Sequence, residues 1–115
     1  MTIVLIDAKP GDDAEICVKF DKVKTTKKIG KATEVQAKYN ALIQALSMLA
    51  TERASSVTVY LDNEYIVKTM NEECKINGKY PSHKLLNERA IKLKKKIKNF
   101  KIKLISTKQL KKQLN

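Results

Sequence analysis

Tryptophan is missing from this 115-residue sequence and aromatic residues make up 5% of it, so stacking of ligand rings is expected to be a minor theme, the more so because Tyr39 and Phe100 fall at apolar positions. Cysteine is scarce as well. Cys17 and Cys74 lie far apart and neither belongs to a CxxC or Cys/His cluster, which speaks against zinc and against thioredoxin-like chemistry and leaves two buried free thiols as the expectation. No long apolar run occurs. The opening stretch Ile3 to Ile6 meets an acid at Asp7, too soon for a signal h-region or a membrane span, so a cytoplasmic protein with no membrane role is expected. Acidic side chains stop at Glu88: Arg89 to Asn115 holds eleven basic residues and none to oppose them.

What is present is a soluble globular balance, 43% apolar and 31% charged, at a length that fits a single domain, 1–115, with a basic C-terminal segment, 89–115. The formal net charge is +12, from 24 Lys and Arg against 12 Asp and Glu. Such a field attracts polyanions, and phosphate neutralisation with counterion release drives non-specific nucleic-acid binding. An anionic membrane surface would be attracted too. A lysine-rich solvated face is the plainer alternative.

The pattern opens with strands. Thr2 to Ile6 is β-branched and apolar, Lys9-Pro10-Gly11-Asp12 reads as a turn, and Glu15 to Phe20 and Lys24 to Ile29, the latter ended by Gly30, read as two more strands. Asp12 and Asp13 suit a solvated hairpin tip. From Thr33, a suitable cap, the period lengthens: Val35, Tyr39, Leu42, Leu46 and Leu49 recur at helical spacing. Ser56 to Leu61 is a strand ending at Asp62, and Asn63 to Asn71 a short helix with Ile66, Val67 and Met70 inward. Residues 72–82 lack periodicity and read as a loop. A helix over His83 to Asn99 then carries a stripe of Leu86, Ala90, Leu93, Ile97 and Phe100. Phe100 to Ile105 alternates as a fifth strand, and Thr107 to Asn115 is a lysine-rich tail with room for two helical turns. This order predicts an α/β domain: a mixed five-stranded sheet with helices on its faces.

Two stretches carry a resemblance. Glu34 to Leu46, EVQAKYNALIQAL, and Val57 to Val67, VTVYLDNEYIV, resemble the ribonuclease H family, whose first helix reads like A-E-Y-x-A-L-x-x-A-L and whose fourth strand runs into T-D-S-x-x-V. With the element order, the resemblance covers almost the whole chain. It implies a ribonuclease H-like fold, here with the final helix shortened, and a two-metal site of carboxylates around Mg²⁺ or Mn²⁺ acting on nucleic acid.

Asp7, ending the first strand, and Asp62, ending the fourth, match two of the family's catalytic, metal-binding acids. The family's Glu near the start of the first helix falls on Lys38, an ammonium that cannot ligate a cation. Glu34, one turn earlier, suits a surface ion pair with Lys38 at i,i+4, or a substitute ligand. The family's fourth carboxylate, after the fifth strand, has no counterpart after Leu104. Nor does the family's glycine-rich turn after the first strand, for which the chain offers Asp7-Ala8-Lys9-Pro10-Gly11. His83, which the family comparison offers as a catalytic histidine, is better placed as a cap or an exposed residue.

The resemblance therefore implies a nucleic-acid-binding protein with a degraded two-metal site, catalytically weak or inactive and needing no cofactor. Lys92, Lys94, Lys95, Lys96, Lys98, Lys101 and Lys103 would meet phosphates of RNA, DNA or a hybrid. One alternative is an active Mg²⁺- or Mn²⁺-dependent nuclease cutting RNA in RNA/DNA hybrids. Another is a structural or partner-binding subunit, as in a homodimer that covers an apolar face left by the short final helix.

Overall fold

A computed structural model describes residues 2–20, 22–76 and 78–115. The chain runs β1 (Thr2–Lys9), β2 (Gly11–Phe20), β3 (Val23–Ala32), α1 (Glu34–Thr51), β4 (Ser56–Leu61), α2 (Glu64–Met70), α3 (Pro81–Lys94), β5 (Asn99–Leu104) and α4 (Thr107–Leu114). The sheet order is β3-β2-β1-β4-β5. β1, β2 and β3 form an antiparallel meander, whereas β4 lies parallel to both β1 and β5. Parallel neighbours need a crossover, and α1 supplies the one into β4 while α2 and α3 supply the one into β5.

The opening strands extend further than their apolar centres suggest. β1 and β2 pair as far as Lys9 and Glu15, so residues 10–14 turn the hairpin: Pro10 has no N–H to donate, and Gly11, whose φ of +134° is open to glycine but strained for other residues, pairs instead with Ala32 of β3. The expected turn at Lys9 to Asp12 therefore runs on through Ala14. Asp13 follows as an exposed partner of Lys28 at 3.0 Å, in keeping with a solvated tip.

Alternation sends one set of side chains to each face of the sheet. Val4, Ile6, Ile16, Val18, Val57, Val59, Leu61 and Ile102 meet Tyr39, Leu42, Leu46 and Leu49 of α1 in the main core. The other face is smaller: Leu5 takes Leu110 and Leu114 of α4, with Cys17, Tyr60 and Ile105 at the margin. The tail therefore folds back onto the sheet and covers part of the face left to a second chain in the oligomeric expectation. Lys19 Nζ donates to the Gln113 carbonyl at 2.9 Å, securing the C-terminal end of α4. On the edge strand β3, Lys24, Lys27, Lys28 and Lys31 are exposed, charges that discourage pairing with another strand.

Helix starts follow their caps. Thr33 accepts from the Gln36 backbone at 3.3 Å while the Gln36 side chain accepts from the Thr33 N–H at 2.9 Å, a reciprocal box that begins α1 where the sequence placed it. Asn63 caps α2 and Ser106 caps α4. The third helix differs from expectation: it begins at Pro81, whose fixed φ and missing N–H suit the first turn, and ends at Lys94. Ile97 is buried beyond its end, so the apolar stripe outlasts the helix.

Three burial expectations change. Cys74 is exposed and Cys17 half-buried, so neither is a core thiol. Phe100, on the flanking strand β5, is half-buried. His83 is buried at 7% exposure and is neither a cap nor a surface residue. Among the described residues no helix is long and apolar enough to cross a membrane.

Candidate functional site

The parallel register places the site. Leu5 is paired with Tyr60, so two residues further along each strand Asp7 and Asp62 stand level at the C-terminal edge of the sheet, where open α/β sheets commonly hold ligands. α1 starts at the same edge, and its first turns supply Glu34 and Lys38. β5 ends there too and hands the chain to Ser106 and Thr107. The resulting cleft, of about 500 Å³, includes Asp7, Glu34, Lys38, Asp62, Thr107 and Lys111 in its wall.

Lys38 occupies the centre. Its Nζ lies 2.7 Å from Asp62 Oδ1 and 3.0 Å from Glu34 Oε1. The second Asp62 oxygen, Oδ2, accepts from Thr107 Oγ1 at 2.7 Å. The Lys38 and Asp62 side chains are 5% and 6% exposed, Glu34 61%. The expected Glu34–Lys38 pair therefore forms, but its lysine is buried, and the stronger partner is Asp62. Asp7 stands apart from this chain of bonds and accepts the Ala8 N–H at 2.8 Å.

Charge states follow from these contacts. Burial alone would lower the Lys38 pKa, yet hydrogen bonds and attraction to Asp62 and Glu34 outweigh it and the pKa is raised. Burial alone would raise that of Asp62, and the Lys38 and Thr107 hydrogen bonds reverse the sign and lower it. Each partner holds the other ionised. Among the described residues, no three His, Cys, Asp or Glu side chains gather as a metal cluster.

The basic residues proposed from the sequence divide. Lys92, Lys95, Lys96, Lys98, Lys101 and Lys103 are exposed. Lys94 is half-buried and donates to the Met70 carbonyl at 2.6 Å, at the C-terminal end of α2. Asn99 pairs with Ser56 at the start of β4, so Lys95, Lys96 and Lys98, just before it, lie toward the sheet end opposite the carboxylates. Lys101 and Lys103 climb β5 toward the site, alternating with buried Ile102.

Sequence reasoning missed two members of the site. Thr107 falls in the lysine-rich tail, and Ser106, the cap of α4, is the local signal that points to its place at the start of a helix. Lys111 recurs four residues later in α4, within the two helical turns that the sequence allows for Thr107 to Asn115, but nothing in the sequence brings those turns to the site.

A meander of three strands, a crossover helix and two parallel strands, with carboxylates at the strand ends, defines a ribonuclease H-like domain. The chain belongs to the reverse transcriptase-like family, whose sequence profile matches residues 16–111. The fold is similar to ribonuclease H1 from the halophilic archaeon Halobacterium salinarum NRC-1, with a TM-score of 0.86, 20% identity, and 96% of this chain and 89% of that one covered. It is also similar to a ribonuclease H1 solved in complex with an RNA/DNA hybrid, at TM-score 0.85 and 22% identity over 97% and 90% of the two chains. The N-terminal ribonuclease H domain of a Mycobacterium tuberculosis protein gives 0.82 and 19% over 97% and 88%. No curated protein matches the chain in sequence.

Proposed function

We propose that this protein binds nucleic acid on a ribonuclease H-like scaffold whose two-metal site has been replaced by an internal ion pair, leaving it weak or inactive as a nuclease. The observation that carries the reading is the Lys38 ammonium 2.7 Å from Asp62 Oδ1. A divalent ion between sheet and helix needs oxygen ligands and a locally negative field. Here a cation stands against the carboxylate, both Asp62 oxygens are already engaged, and an arriving metal would have to displace a buried ammonium and meet its charge. The residues present do not fit the family's two ions.

Binding draws on the charge. One structural neighbour is held with an RNA/DNA hybrid, and a net charge of +12 supplies the attraction for the same class of polyanion. Lys92, Lys95, Lys96, Lys98, Lys101 and Lys103 offer phosphate contacts that carry little sequence information. Lys94 would contribute less, being engaged at Met70.

The test is gel retardation and cleavage of one labelled RNA/DNA hybrid, in Mn²⁺ or in chelator, with the natural chain and with Asp62→Asn. Retardation that persists in chelator, weakens steeply with salt and is not accompanied by cutting supports the reading. Metal-dependent cutting abolished by Asp62→Asn would instead make the protein an active nuclease with Asp7, Asp62 and Glu34 as its ligands.

A further inference from the structure

A second cleft, of about 450 Å³, opens beside the carboxylate site, and the function above does not use it. Its walls combine the start of α1, including Val35, with Tyr65 of α2 and with Tyr80, Ser82 and His83 at the start of α3. Two of the chain's six Tyr and Phe rings, Tyr65 and Tyr80, meet its single histidine here. Tyr80 stacks on His83, ring centroids 4.7 Å apart and planes inclined by 23°, and Tyr65 meets the same imidazole at 5.6 Å and 55°. Tyr80 is 51% exposed, which leaves part of its ring open to a ligand. The His83 Nδ1 is buried and without a hydrogen-bond partner among the described residues. Burial lowers the His83 pKa, so the ring is neutral near neutral pH and acts as an aromatic surface.

The rings suit a flat ligand, and the net charge of +12 suits an anionic chain that carries it. Glu34 lines both clefts, so the two adjoin. On the far side, Thr33 and Gln36 are shared with a shallow depression that includes Lys31, a cation at the rim. We infer that this cleft takes an unpaired nucleobase of a single strand, stacked against the Tyr80–His83 pair. Bases inside a duplex already stack on one another and present no free face, whereas unpaired bases do. The inference rests on the nucleic-acid reading above and narrows it to a preference for single-stranded segments.

The experiment compares three probes of equal length, a single-stranded oligonucleotide, the same strand with abasic positions, and a duplex, against the natural chain, Tyr80→Leu and Tyr80→Phe. Tyr80 is half exposed, so these variants fold, which circular dichroism checks. The natural chain should prefer the intact single strand to the abasic one by about five- to 150-fold, the range for stacking one base. Tyr80→Leu should remove that preference, Tyr80→Phe should keep it, and duplex affinity should stay within about twofold. Equal affinity for intact and abasic strands, or a preference that survives Tyr80→Leu, overturns the inference while duplex binding leaves the wider reading standing. Loss of binding to every probe, the duplex included, overturns both. A cleft meant for an aromatic side chain of another protein would show no dependence on the bases.

Discussion

Lys38 Nζ and Asp62 Oδ1, one from the second turn of α1 and one from the end of β4, lie 2.7 Å apart with both side chains almost wholly shielded from water. The contact ties the main helix to the end of a central parallel strand. In the function proposed above, this joint stands where the family would hold metal. Glu34 and Thr107 complete the joint by taking one further proton of the ammonium and one further oxygen of the carboxylate.

Removing one member should be costly, because the other is then a buried charge without its counterion. Lys38→Met is expected to destabilise the fold by about 3 kcal/mol, read as a shift of the urea midpoint with an unchanged slope. Replacing both partners, Lys38→Met with Asp62→Leu, should recover most of the loss, since an apolar pair of similar volume avoids the desolvation of two charges. A double variant no more stable than the single one would show that the pair is not coupled as described.

The pKa directions give a pH window. Asp62 has a lowered folded pKa, so its contribution is present above the ordinary carboxylate range, about pH 4, and is lost as pH falls through the folded value. Lys38 has a raised one, so its contribution is present below the ordinary lysine range, about pH 10.4, and is lost as pH rises beyond it. Thermal melts should show a shoulder of stability between these limits, steepening at both ends, and Lys38→Met should remove the alkaline decline assigned to this pair.

His83 adds a term of its own. Burial lowers its pKa, and a base whose folded pKa is lowered binds its proton more readily when unfolded, so stability falls as pH drops below about 6.5. His83→Phe, which keeps an aromatic ring against Tyr80 and Tyr65, should flatten the decline below about pH 6.5. An unchanged slope there would mean that the imidazole does not remain neutral in the folded chain.

Leu110 is fully buried on the smaller face of the sheet. Leu110→Ala should cost about 2 to 4 kcal/mol, enough to loosen α4 and the Thr107 hydrogen bond with it. Limited proteolysis should then cut near residues 106–112 before the rest of the domain, whereas the natural chain should resist at that position.

Much of this was legible in the sequence because the pattern and the fold use the same periods. The helical recurrence of Tyr39, Leu42, Leu46 and Leu49 reports a face that α1 does bury, and the alternation in β5 holds at Phe100 and Ile102 but stops at Leu104, which is exposed. Thr33 announced α1 through a local hydrogen-bond box. Resemblance singled out Asp7, Asp62 and Lys38, but not the bond that joins Lys38 to Asp62. The i,i+4 rule pairs Lys38 with Glu34, its neighbour along the helix, and no local rule reports a carboxylate 24 residues away that only the packing of α1 on β4 brings into reach. The end of α3 differs for a related reason: in the exposed turn into β5 the Ile97 side chain alone reaches the core, so the hydrophobic stripe marks burial rather than helix. His83 looked exposed because an isolated histidine carries no sign of Tyr65 and Tyr80 closing around it.

The most direct test is calorimetric titration of Mn²⁺ into the natural chain and into Lys38→Glu at neutral pH, with Asp62→Asn as control. Replacing the ammonium by a carboxylate restores the anionic gap, so Lys38→Glu should bind Mn²⁺ and gain melting temperature with it, and the natural chain should give no binding heat over the same concentrations. Tight Mn²⁺ binding by the natural chain that disappears in Asp62→Asn would show that Lys38 yields its place to the metal, and would contradict the account.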